Sequence, residues 1–409
     1  MSETIVIVGA GHAGGRAAQA LRAAGFAGRV VLIGEEKYPP YERPPLSKEL
    51  IVTDAGLEKA RLHDPAYYEQ NKIELMLGKA VEAIDRAAKR VKVGDDWIAY
   101  DKLLLTTGAR VRKLPIPGAD LPGVFYLRDF NDTQAIRARL APGVRAVVIG
   151  GGFIGLETAA SAVKRGATVT VLEVADRLMG RAVAPEIGAW FAELHKKKGV
   201  DLRLAVRIQA IEGAGKVERV VLDAAGAVAD PIPADIVVIG IGIVPNVELA
   251  AVAGLDVGNG IVVDQFGRTS DPAIWAAGDC AFQPNAFLGR KLRLESYQNA
   301  QDQAMAVARN MIGEPRPYED SLWVWSDQHD VNLQMTGAPE GYDKLVWRGD
   351  PASGAFMVFY LKEGRIVAIN TVNLGREMKP AQRLMQSKKS FDPAQLADPN
   401  VRLLKLGKD

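Results

Sequence analysis

One pattern of apolar and polar positions occurs twice in the chain. Residues 146–149 form a short apolar run, a glycine-rich turn follows, and residues 156–164 are rich in alanine and typical of a helix. A second apolar run covers residues 167–172 and ends at Glu173. Residues 4–8, the turn at 9–14, the helical stretch 15–24 and the run 30–33 before Glu35 repeat this order. Strand, helix and strand in alternation predict an α/β fold with parallel sheets.

Both turns have glycines at the spacing G-x-G-x-x-G. They are Gly9, Gly11 and Gly14 in the first turn, and Gly150, Gly152 and Gly155 in the second. In this motif the first glycine makes the tight turn and the second lets the backbone approach a pyrophosphate. The third lets the helix pack on the strand, so that its N-terminal N–H groups meet the anion. Two complete motifs therefore predict two dinucleotides, one held tightly and one that exchanges.

An acidic residue ends the second strand of each motif. Such a carboxylate accepts hydrogen bonds from an adenosine ribose and repels a 2′-phosphate. Glu173 therefore predicts a dinucleotide without a 2′-phosphate at the second motif. His12 lies inside the first turn, and a helix N-terminus disfavours an imidazolium ion. We interpret His12 as a packing residue of that turn rather than as an acid or base.

Length and composition limit the class of protein. A chain of 409 residues is too long for one ordinary core, so two or three domains are expected. Its net charge of +2 shows no basic excess that would indicate nucleic acid. The longest apolar runs, such as residues 236–244, are short and interrupted by glycine, so no membrane span is predicted. The N-terminus shows no secretory signal pattern, and we expect a cytoplasmic protein.

The chain has a single cysteine, Cys280. One cysteine excludes an intrachain disulfide and a C-x-x-C redox centre. We interpret it as a small buried side chain.

Segments outside the two glycine motifs add further predicted elements and candidate residues. The proline-rich segment 38–48 predicts a rigid loop that holds Arg43 and Lys48 beyond the strand ends, although a solvated loop is the alternative. Residues 102–108 are predicted as a buried strand that ends in a turn of small residues, and residues 235–245 as a buried strand that turns on glycines. Residues 111–127 are predicted as a connection between domains, and residues 213–226 as flanked by a strand pair. Asp279 follows the strand at 274–279, where it either holds a cofactor hydroxyl or caps the next helix.

The second unit interrupts the first, whose sheet resumes after about residue 244. The predicted domains are residues 1–110 with 244–321 for the first dinucleotide, 111–243 for the second dinucleotide, and 322–409 as a small C-terminal domain. Helices are predicted at residues 185–198 and 377–386, and a hairpin at residues 356–370. The fold class is α/β, with two Rossmann-like domains and a small C-terminal α+β domain.

The motifs also carry a resemblance to a known family. They are GAGHAG, RPPLSK, LLLTTGA, GGGFIGLE, GIGIVPN, AAGDC, ESYQNAQDQ and WVWSDQ, in this order along the whole chain. This set resembles the FAD-dependent, NADH-using ferredoxin reductases of bacterial oxygenase systems, within the flavoprotein disulfide reductase superfamily. Among them it is most similar to the reductases of cytochrome P450 systems.

The resemblance implies roles for individual residues. FAD is expected to bind to Gly9, Gly11, His12, Ala13, Gly14, Glu35, Arg43, Lys48, Val81, Thr107, Gly108, Arg128, Asp279, Tyr297 and Trp325. NADH is expected to bind to Gly150, Gly152, Ile154, Gly155, Glu173 and Gly242. Lys48, near flavin N5, and its partner Glu157 are the expected catalytic pair, with a simple structural ion pair as the alternative. Tyr297 and Ala304 depart from residues common in the family.

The expected activity is hydride transfer from NADH to FAD, followed by transfer of single electrons to a [2Fe–2S] ferredoxin. That ferredoxin would serve a cytochrome P450 or Rieske oxygenase. The expected assembly is a monomer or weak homodimer. Two alternatives remain: an NADH oxidase or peroxidase, disfavoured because residues 38–48 contain no cysteine, and an NADH-sensing flavoprotein of the apoptosis-inducing type. The basic residues near the flavin exit are expected to attract an acidic ferredoxin. They are Arg290, Lys291, Arg293, Lys379, Arg383, Lys388 and Lys389.

Overall fold

The computed structural model describes residues 3–223, 230–319 and 322–406. Gly226, within the loop of the predicted strand pair, and the predicted domain boundary at residue 321 lie outside these ranges. The chain forms two compact units. The first comprises Met1–Pro44, Ala55–Arg110 and Ile243–Asp320, and the second comprises Pro45–Asp54, Val111–Gly242 and Ser321–Asp409.

The strands, in chain order, are β1 (Thr4–Val8), β2 (Arg29–Gly34), β3 (Ile73–Leu77), β4 (Ala83–Asp85), β5 (Arg90–Val93), β6 (Asp96–Ala99), β7 (Lys102–Leu105), β8 (Ala109–Val111), β9 (Val124–Tyr126), β10 (Arg145–Ile149), β11 (Thr168–Leu172), β12 (Asp201–Arg203), β13 (Ile208–Glu212), β14 (Arg219–Leu222), β15 (Ile232–Pro233), β16 (Ile236–Ile239), β17 (Ile243–Pro245), β18 (Val257–Gly258), β19 (Gly260–Val262), β20 (Ile274–Ala276), β21 (Ala281–Asn285), β22 (Arg290–Leu292), β23 (Val324–Gln328), β24 (Val331–Gly337), β25 (Lys344–Asp350), β26 (Ala355–Lys362) and β27 (Arg365–Val372).

The α-helices are α1 (His12–Ala23), α2 (Glu49–Val52), α3 (Pro65–Gln70), α4 (Phe130–Arg137), α5 (Phe153–Lys164), α6 (Pro185–Lys197), α7 (Glu248–Val252), α8 (Tyr297–Met311), α9 (Gly375–Gln386), α10 (Pro393–Ala397) and α11 (Leu403–Leu406). Short 3₁₀ helices cover Pro44–Ser47, Leu57–Lys59, Gly278–Cys280 and Pro351–Ser353.

The first unit is built on a parallel sheet with the strand order β20-β7-β1-β2-β3. Its strands are continuous apolar runs because both faces are buried. On one face α1 packs against α8, and Leu21 and Val307 are fully buried there with Ile5 and Ile7 of β1. The sheet does resume late in the chain, because β20 pairs with β7.

The second unit contains a parallel sheet with the order β12-β11-β10-β16-β9. Helices α5 and α6 contribute Leu156, Ile187 and Phe191 to its core, all fully buried. In both units the strand before the glycine turn is the central strand. The carboxyl ends of neighbouring strands therefore surround each turn, which is where ligands bind in open α/β sheets.

Residues from Val324 onward in this unit form an antiparallel sheet with the order β23-β24-β27-β26-β25. The hairpin predicted at 356–370 is present as β26 and β27. Helix α9 packs against β27 and β24, with Met378 and Leu384 buried. Strand β23 carries the WSDQ motif at one edge of this sheet.

One local prediction was wrong, and a second was refined by the structure. The segment 111–127 is not only a connection, because β9 adds a strand to the second parallel sheet, with Val124 opposite Val237. That pairing joins residues far apart in sequence, and the surrounding prolines and glycines conceal it. The stretch 235–245 turns on its glycines as predicted, and the turn divides it into the two strands β16 and β17. Gly242 separates them with a φ of +101°, which favours glycine.

Candidate functional site

The first glycine turn connects β1 to the N-terminus of α1. Gly9 has a φ of +112°, and a Cβ there would overlap the carbonyl group of Thr106. A Cβ at Gly14 would overlap the carbonyl oxygen of Gly9. By contrast, a Cβ at Gly11 would have no described atom within 4 Å. The turn is therefore closed on the protein side and open at the second glycine, where a pyrophosphate would approach the N–H groups of α1.

His12 begins α1 and is 7% exposed. Neither of its ring nitrogens has a hydrogen-bond partner among the described residues, and its ring lies 4.4 Å from that of Tyr297. Burial, with a smaller contribution from Arg16 and Arg43, lowers the pKa of His12 to about 3. The imidazole is therefore neutral at pH 7. Two buried nitrogen atoms without a partner indicate that a bound group completes this site.

Arg43 lies in the proline-rich segment, and its Nη2 is 2.6 Å from Oε1 of Glu36. Glu36 also accepts a hydrogen bond from Tyr41. Burial opposes the charge of Arg43, but Tyr41, Glu36 and Asp279 raise the pKa of Arg43. The arginine is therefore a fixed cation close to the predicted FAD residue Asp279. Glu35, which was predicted to bind FAD, is exposed, whereas its neighbour Glu36 was not predicted as a site residue.

Further predicted FAD residues of the first unit surround the same strand ends. Thr107 follows β7, and its hydroxyl donates to the carbonyl of Asn246 at 2.7 Å. Asp279 lies in the 3₁₀ helix Gly278–Cys280, and Gly278 approaches Ala13 of α1 so closely that a Cβ there would be 3.1 Å away. Tyr297 begins α8 and donates to Glu42 Oε1 at 2.7 Å. Gly108 and Val81 are partly buried. The FAD roles of these residues stay predictions.

The second glycine turn, between β10 and α5, repeats the geometry of the first. Gly150 has a φ of +116°, and a Cβ there would overlap the carbonyl oxygen of Gly240. A Cβ at Gly155 would overlap the carbonyl oxygen of Gly150, whereas a Cβ at Gly152 would meet no described atom within 4 Å. This turn is also open only where a pyrophosphate would lie.

Glu173 ends β11 beside this turn, and its carboxylate is held in place. Oε2 accepts from the Gly151 N–H at 2.6 Å, and Oε1 accepts from the Ala175 N–H at 2.8 Å. Ile154 and Val174, which flank the turn, are 47% and 64% exposed. Gly242 accepts a hydrogen bond from the Arg112 N–H. The arrangement offers an oriented carboxylate at an open surface, as an exchanging dinucleotide requires.

A third constellation lies within the second unit, around Glu157 of α5. Its carboxylate is 3% exposed and accepts hydrogen bonds from Ser47 at 2.5 Å and from Ser326 at 2.7 Å. Lys48 Nζ is 3.3 Å from Glu157 Oε1 and 3.8 Å from Asp327 Oδ2. The predicted ion pair of Lys48 and Glu157 is thus present. Its catalytic role stays a prediction.

Aromatic residues border this ion pair. The Lys48 ammonium lies 5.7 Å from the ring of Trp325, which stacks on Trp323 at 5.1 Å and donates to Asp327 at 3.2 Å. Arg128, a predicted FAD residue, belongs to the same unit and donates its backbone N–H to Asp132. The sequence analysis missed Ser47 and Ser326 as partners of Glu157. Both stand next to predicted site residues in RPPLSK and WVWSDQ, which was the available signal.

Cys280 is fully buried. Its Sγ lies 3.4 Å from the carbonyl oxygen of Ala277 and 3.5 Å from that of Leu105. Burial raises the pKa of the Cys280 thiol. The thiol is therefore protonated and inaccessible, as the interpretation of a packing side chain requires.

The described residues contain no group of three or more His, Cys, Asp or Glu side chains that could hold a metal ion. In the same residues, no helix is both long and apolar enough to span a membrane.

The residues present fit two dinucleotides. In the first unit, the space at Gly11 and the unpartnered nitrogens of His12 suit the pyrophosphate of FAD. In the second unit, the space at Gly152 and the fixed carboxylate of Glu173 suit NADH.

The chain matches two known protein families and a known relative along most of its length. Residues 3–304 match the family described as pyridine nucleotide-disulphide oxidoreductase, and residues 323–407 match the reductase C-terminal domain. The chain is 46% identical to the ferredoxin–NAD(+) reductase component of the anthranilate 1,2-dioxygenase system of Burkholderia cepacia, over 98% of each chain.

Two solved structures of reductases have the same fold as this chain over nearly its full length. The ferredoxin reductase for the CYP199A2 system of Rhodopseudomonas palustris has a TM-score of 0.94 and 40% identity, over 98% of this chain and 99% of that one. Putidaredoxin reductase, in its covalent complex with putidaredoxin, has a TM-score of 0.94 and 38% identity, over 99% of this chain and 98% of that one. The predicted fold class is confirmed, and so are FAD and NAD(H) as the cofactors that this family uses. The chain therefore belongs to the pyridine nucleotide-disulphide oxidoreductase family and, within it, to the ferredoxin reductases.

Proposed function

We propose that this protein is an NADH-dependent ferredoxin reductase that serves an oxygenase. One observation carries the proposal: two complete dinucleotide turns occur in a chain whose single cysteine is fully buried. Electrons that enter from NADH therefore cannot leave through a dithiol of this chain, and an external acceptor is needed. A [2Fe–2S] ferredoxin, which accepts one electron at a time, suits that need.

The two turns have separate tasks. The first holds FAD, with Arg43 as a fixed cation and Asp279 beside it. The second binds NADH through Gly152 and Glu173 and releases NAD⁺. When bound, FAD supplies the conversion of one two-electron donor into two one-electron deliveries. Each NADH thus reduces two ferredoxins and releases one proton.

In this proposal, Glu157 positions Lys48, and the positive charge of Lys48 assists hydride transfer. The Glu157 carboxylate accepts hydrogen bonds from two hydroxyl groups and from the Lys48 ammonium. It holds the ammonium in a fixed position, where a positive charge stabilises negative charge that develops during hydride transfer. Trp325 covers Lys48 and limits its access to water.

The acceptor docks, in this proposal, on exposed basic residues of the C-terminal segment. Lys379 and Arg383 lie on the exposed face of α9, and Lys388 and Lys389 follow it. An acidic ferredoxin would be attracted by this group, which we call the α9 basic group. The similar expectation for Arg293 has less support. Its side chain is 9% exposed, pairs with Glu295, and donates to two backbone carbonyls.

Steady-state reduction of ferredoxins tests the function. NADH should support reduction of a [2Fe–2S] ferredoxin, followed with cytochrome c, and a screen of ferredoxins encoded beside P450 or Rieske oxygenases should identify the partner. Rapid reduction of the flavin by NADH without turnover by any ferredoxin would contradict the proposal and favour an NADH-sensing protein. Dominant consumption of oxygen or peroxide would instead indicate an oxidase.

An ionic-strength series tests the docking surface separately. Reversal of two cations, Arg383→Glu and Lys388→Glu, should raise the ferredoxin KM by more than about threefold at low salt, and the effect should fade as the Debye length shortens. Lys344→Glu is the matched control, because this exposed lysine lies on β25, at the other edge of the sheet from β23. Equal KM values for all three variants would place docking elsewhere.

A further inference from the structure

A series of hydrogen bonds leads from Glu157 through the interior of the second unit. Ser326 donates to Glu157 Oε1 at 2.7 Å, and Gln328 Nε2 lies 3.1 Å from Ser326 Oγ. His195 Nε2 lies 3.0 Å from Gln328 Oε1, and His329 Nε2 lies 3.2 Å from His195 Nδ1. Ser326, Gln328 and His195 have no exposed surface, whereas His329 is 9% exposed.

The chemistry of the groups determines the direction of every bond. A carboxylate can only accept, so the Ser326 hydroxyl donates to Glu157 and must itself accept from the amide of Gln328. The amide oxygen of Gln328 then faces His195, whose Nε2 must carry a proton. His195 Nδ1 is left as an acceptor for His329. Burial lowers the pKa of His195, in agreement with this neutral form.

We propose that His195 and Gln328 are positioning residues for the Lys48–Glu157 pair. His195 selects the orientation of the Gln328 amide, which in turn directs the Ser326 hydroxyl toward Glu157. Without this constraint, the Ser326 hydroxyl could donate to the Gln328 oxygen, and Glu157 would lose one of its hydrogen bonds. The inference rests on the proposed function, because it concerns the pair that supplies charge to hydride transfer.

At the outer end of the series, His329 adopts an unfavourable backbone conformation. His329 occupies the turn between β23 and β24 with a φ of +57°, where a non-glycine residue is uncommon. Lys164 donates to its carbonyl at 2.7 Å, and Lys198 pairs with the adjacent Asp330 at 3.0 Å. Burial, His195 and these two lysines lower the pKa of His329 to about 4, against an opposing effect of Asp330. The series should therefore stay intact from about pH 6 to pH 8.

Imidazole NMR of the FAD-loaded protein tests the series without an activity measurement. The chain has four histidines, so each can be assigned by substitution. His195 should show the Nε2–H tautomer and should titrate at lower pH than an exposed imidazole. Gln328→Met, which removes the amide at nearly constant length, should abolish that tautomer preference. An Nδ1–H tautomer, or a normal titration, would overturn the proposal.

Stopped-flow reduction of the flavin by NADH tests the consequence. Gln328→Met and His195→Leu should lower the limiting rate constant by about threefold to tenfold, as expected for the loss of one typical net hydrogen bond. The half-saturating NADH concentration should change by less than about twofold. His195→Gln retains an N–H donor near the Nε2 position and should restore the rate to within about twofold of wild type.

Two further variants distinguish a specific effect on the rate constant from a general loss of stability. Ser326→Ala should lower the rate as much as Gln328→Met, and the double variant should be no slower, because both changes break the same series. Thr158→Val is the control, since this buried hydroxyl adjoins Glu157 but donates to the Ile154 carbonyl of its own helix. Loss of thermal stability with unchanged rate constants would show a merely structural network. Failure of the ferredoxin assay alone would leave these results untouched and would reject only the proposed acceptor.

Discussion

The two glycine turns have nearly the same backbone and different surroundings. Gly9 and Gly150 have φ values of +112° and +116°, and the third glycine of each turn packs against the carbonyl of the first. Each second glycine faces open space. Beside the first turn lie the fixed cation Arg43 and the buried His12, whose ring nitrogens have no hydrogen-bond partner among the described residues. Beside the second turn lie the exposed side chains of Ile154 and Val174.

This difference separates the contribution of the glycine motif from the contribution of the residues around it. The glycine spacing makes a phosphate-binding turn in both units, because its requirements are steric and local. Whether the dinucleotide is retained or exchanges depends on how much of the neighbouring surface is buried and charged. We therefore expect the first turn to retain FAD and the second turn to exchange NADH and NAD⁺.

Alanine at the second glycine of each turn should produce the largest effect and separate the two roles. A Cβ at Gly11 or Gly152 meets no described atom, so the protein should fold, but the methyl group would collide with a pyrophosphate at a cost of about 3 kcal/mol, or roughly a hundredfold in affinity. Gly11→Ala should lower FAD content. Gly152→Ala should retain FAD and raise the NADH KM. Equal effects of both variants on FAD content would contradict the assignment of the turns.

The preference for NADH over NADPH should depend only on residues at the second turn. Repulsion of a 2′-phosphate by Glu173, with the loss of ribose hydrogen bonds, should make kcat/KM for NADPH about tenfold to a hundredfold lower than for NADH. Glu173→Gln should reduce this ratio, whereas Asp176→Asn, which changes an exposed neighbouring carboxylate, should not. Arg177 could soften the preference, although it already donates to the Gly180 carbonyl. Comparable kcat/KM for both cofactors in wild type would reject the role of Glu173.

Acid should destabilise the flavin-free protein through His12. In the unfolded chain His12 has a pKa near 6.5, and in the folded chain its pKa is about 3, so between these values only the unfolded state binds the proton. The free energy of unfolding should therefore fall as the pH drops below about 6.5, by about 2 kcal/mol at pH 5. Urea unfolding of wild type and His12→Asn at pH 7 and pH 5 measures the difference. Parallel losses in both proteins would assign the acid sensitivity to other groups.

The smallest effect is expected at Cys280, which takes part in neither turn. Cys280→Ser keeps a small side chain that can still donate to the Ala277 carbonyl. Electron transfer to ferredoxin should stay within about twofold of wild type, since one buried thiol cannot cycle as a dithiol. A loss of turnover beyond about tenfold at unchanged flavin content would show that the thiol participates in the chemistry.

The sequence by itself determined the two dinucleotide turns and the α/β class. Each turn, with its strands, its helix and the acidic residue at the strand end, lies within about thirty consecutive residues. Its requirements can therefore be recognised in the residue order. The single cysteine likewise excluded a dithiol mechanism before any fold was known. The resemblance also paired Lys48 with Glu157, but their contacts and burial could not be read from it.

Only the tertiary structure decided how the buried polar groups are connected. Glu157 meets Ser47 and Ser326, which are 110 and 169 positions away in sequence. Gln328 meets His195 across 133 positions. Such contacts depend on which helix packs against which strand and on the register of β23, and neither is encoded in a local pattern. Strand β9 and the burial of Arg293 escaped prediction for the same reason, because pairing and burial are properties of the assembled core.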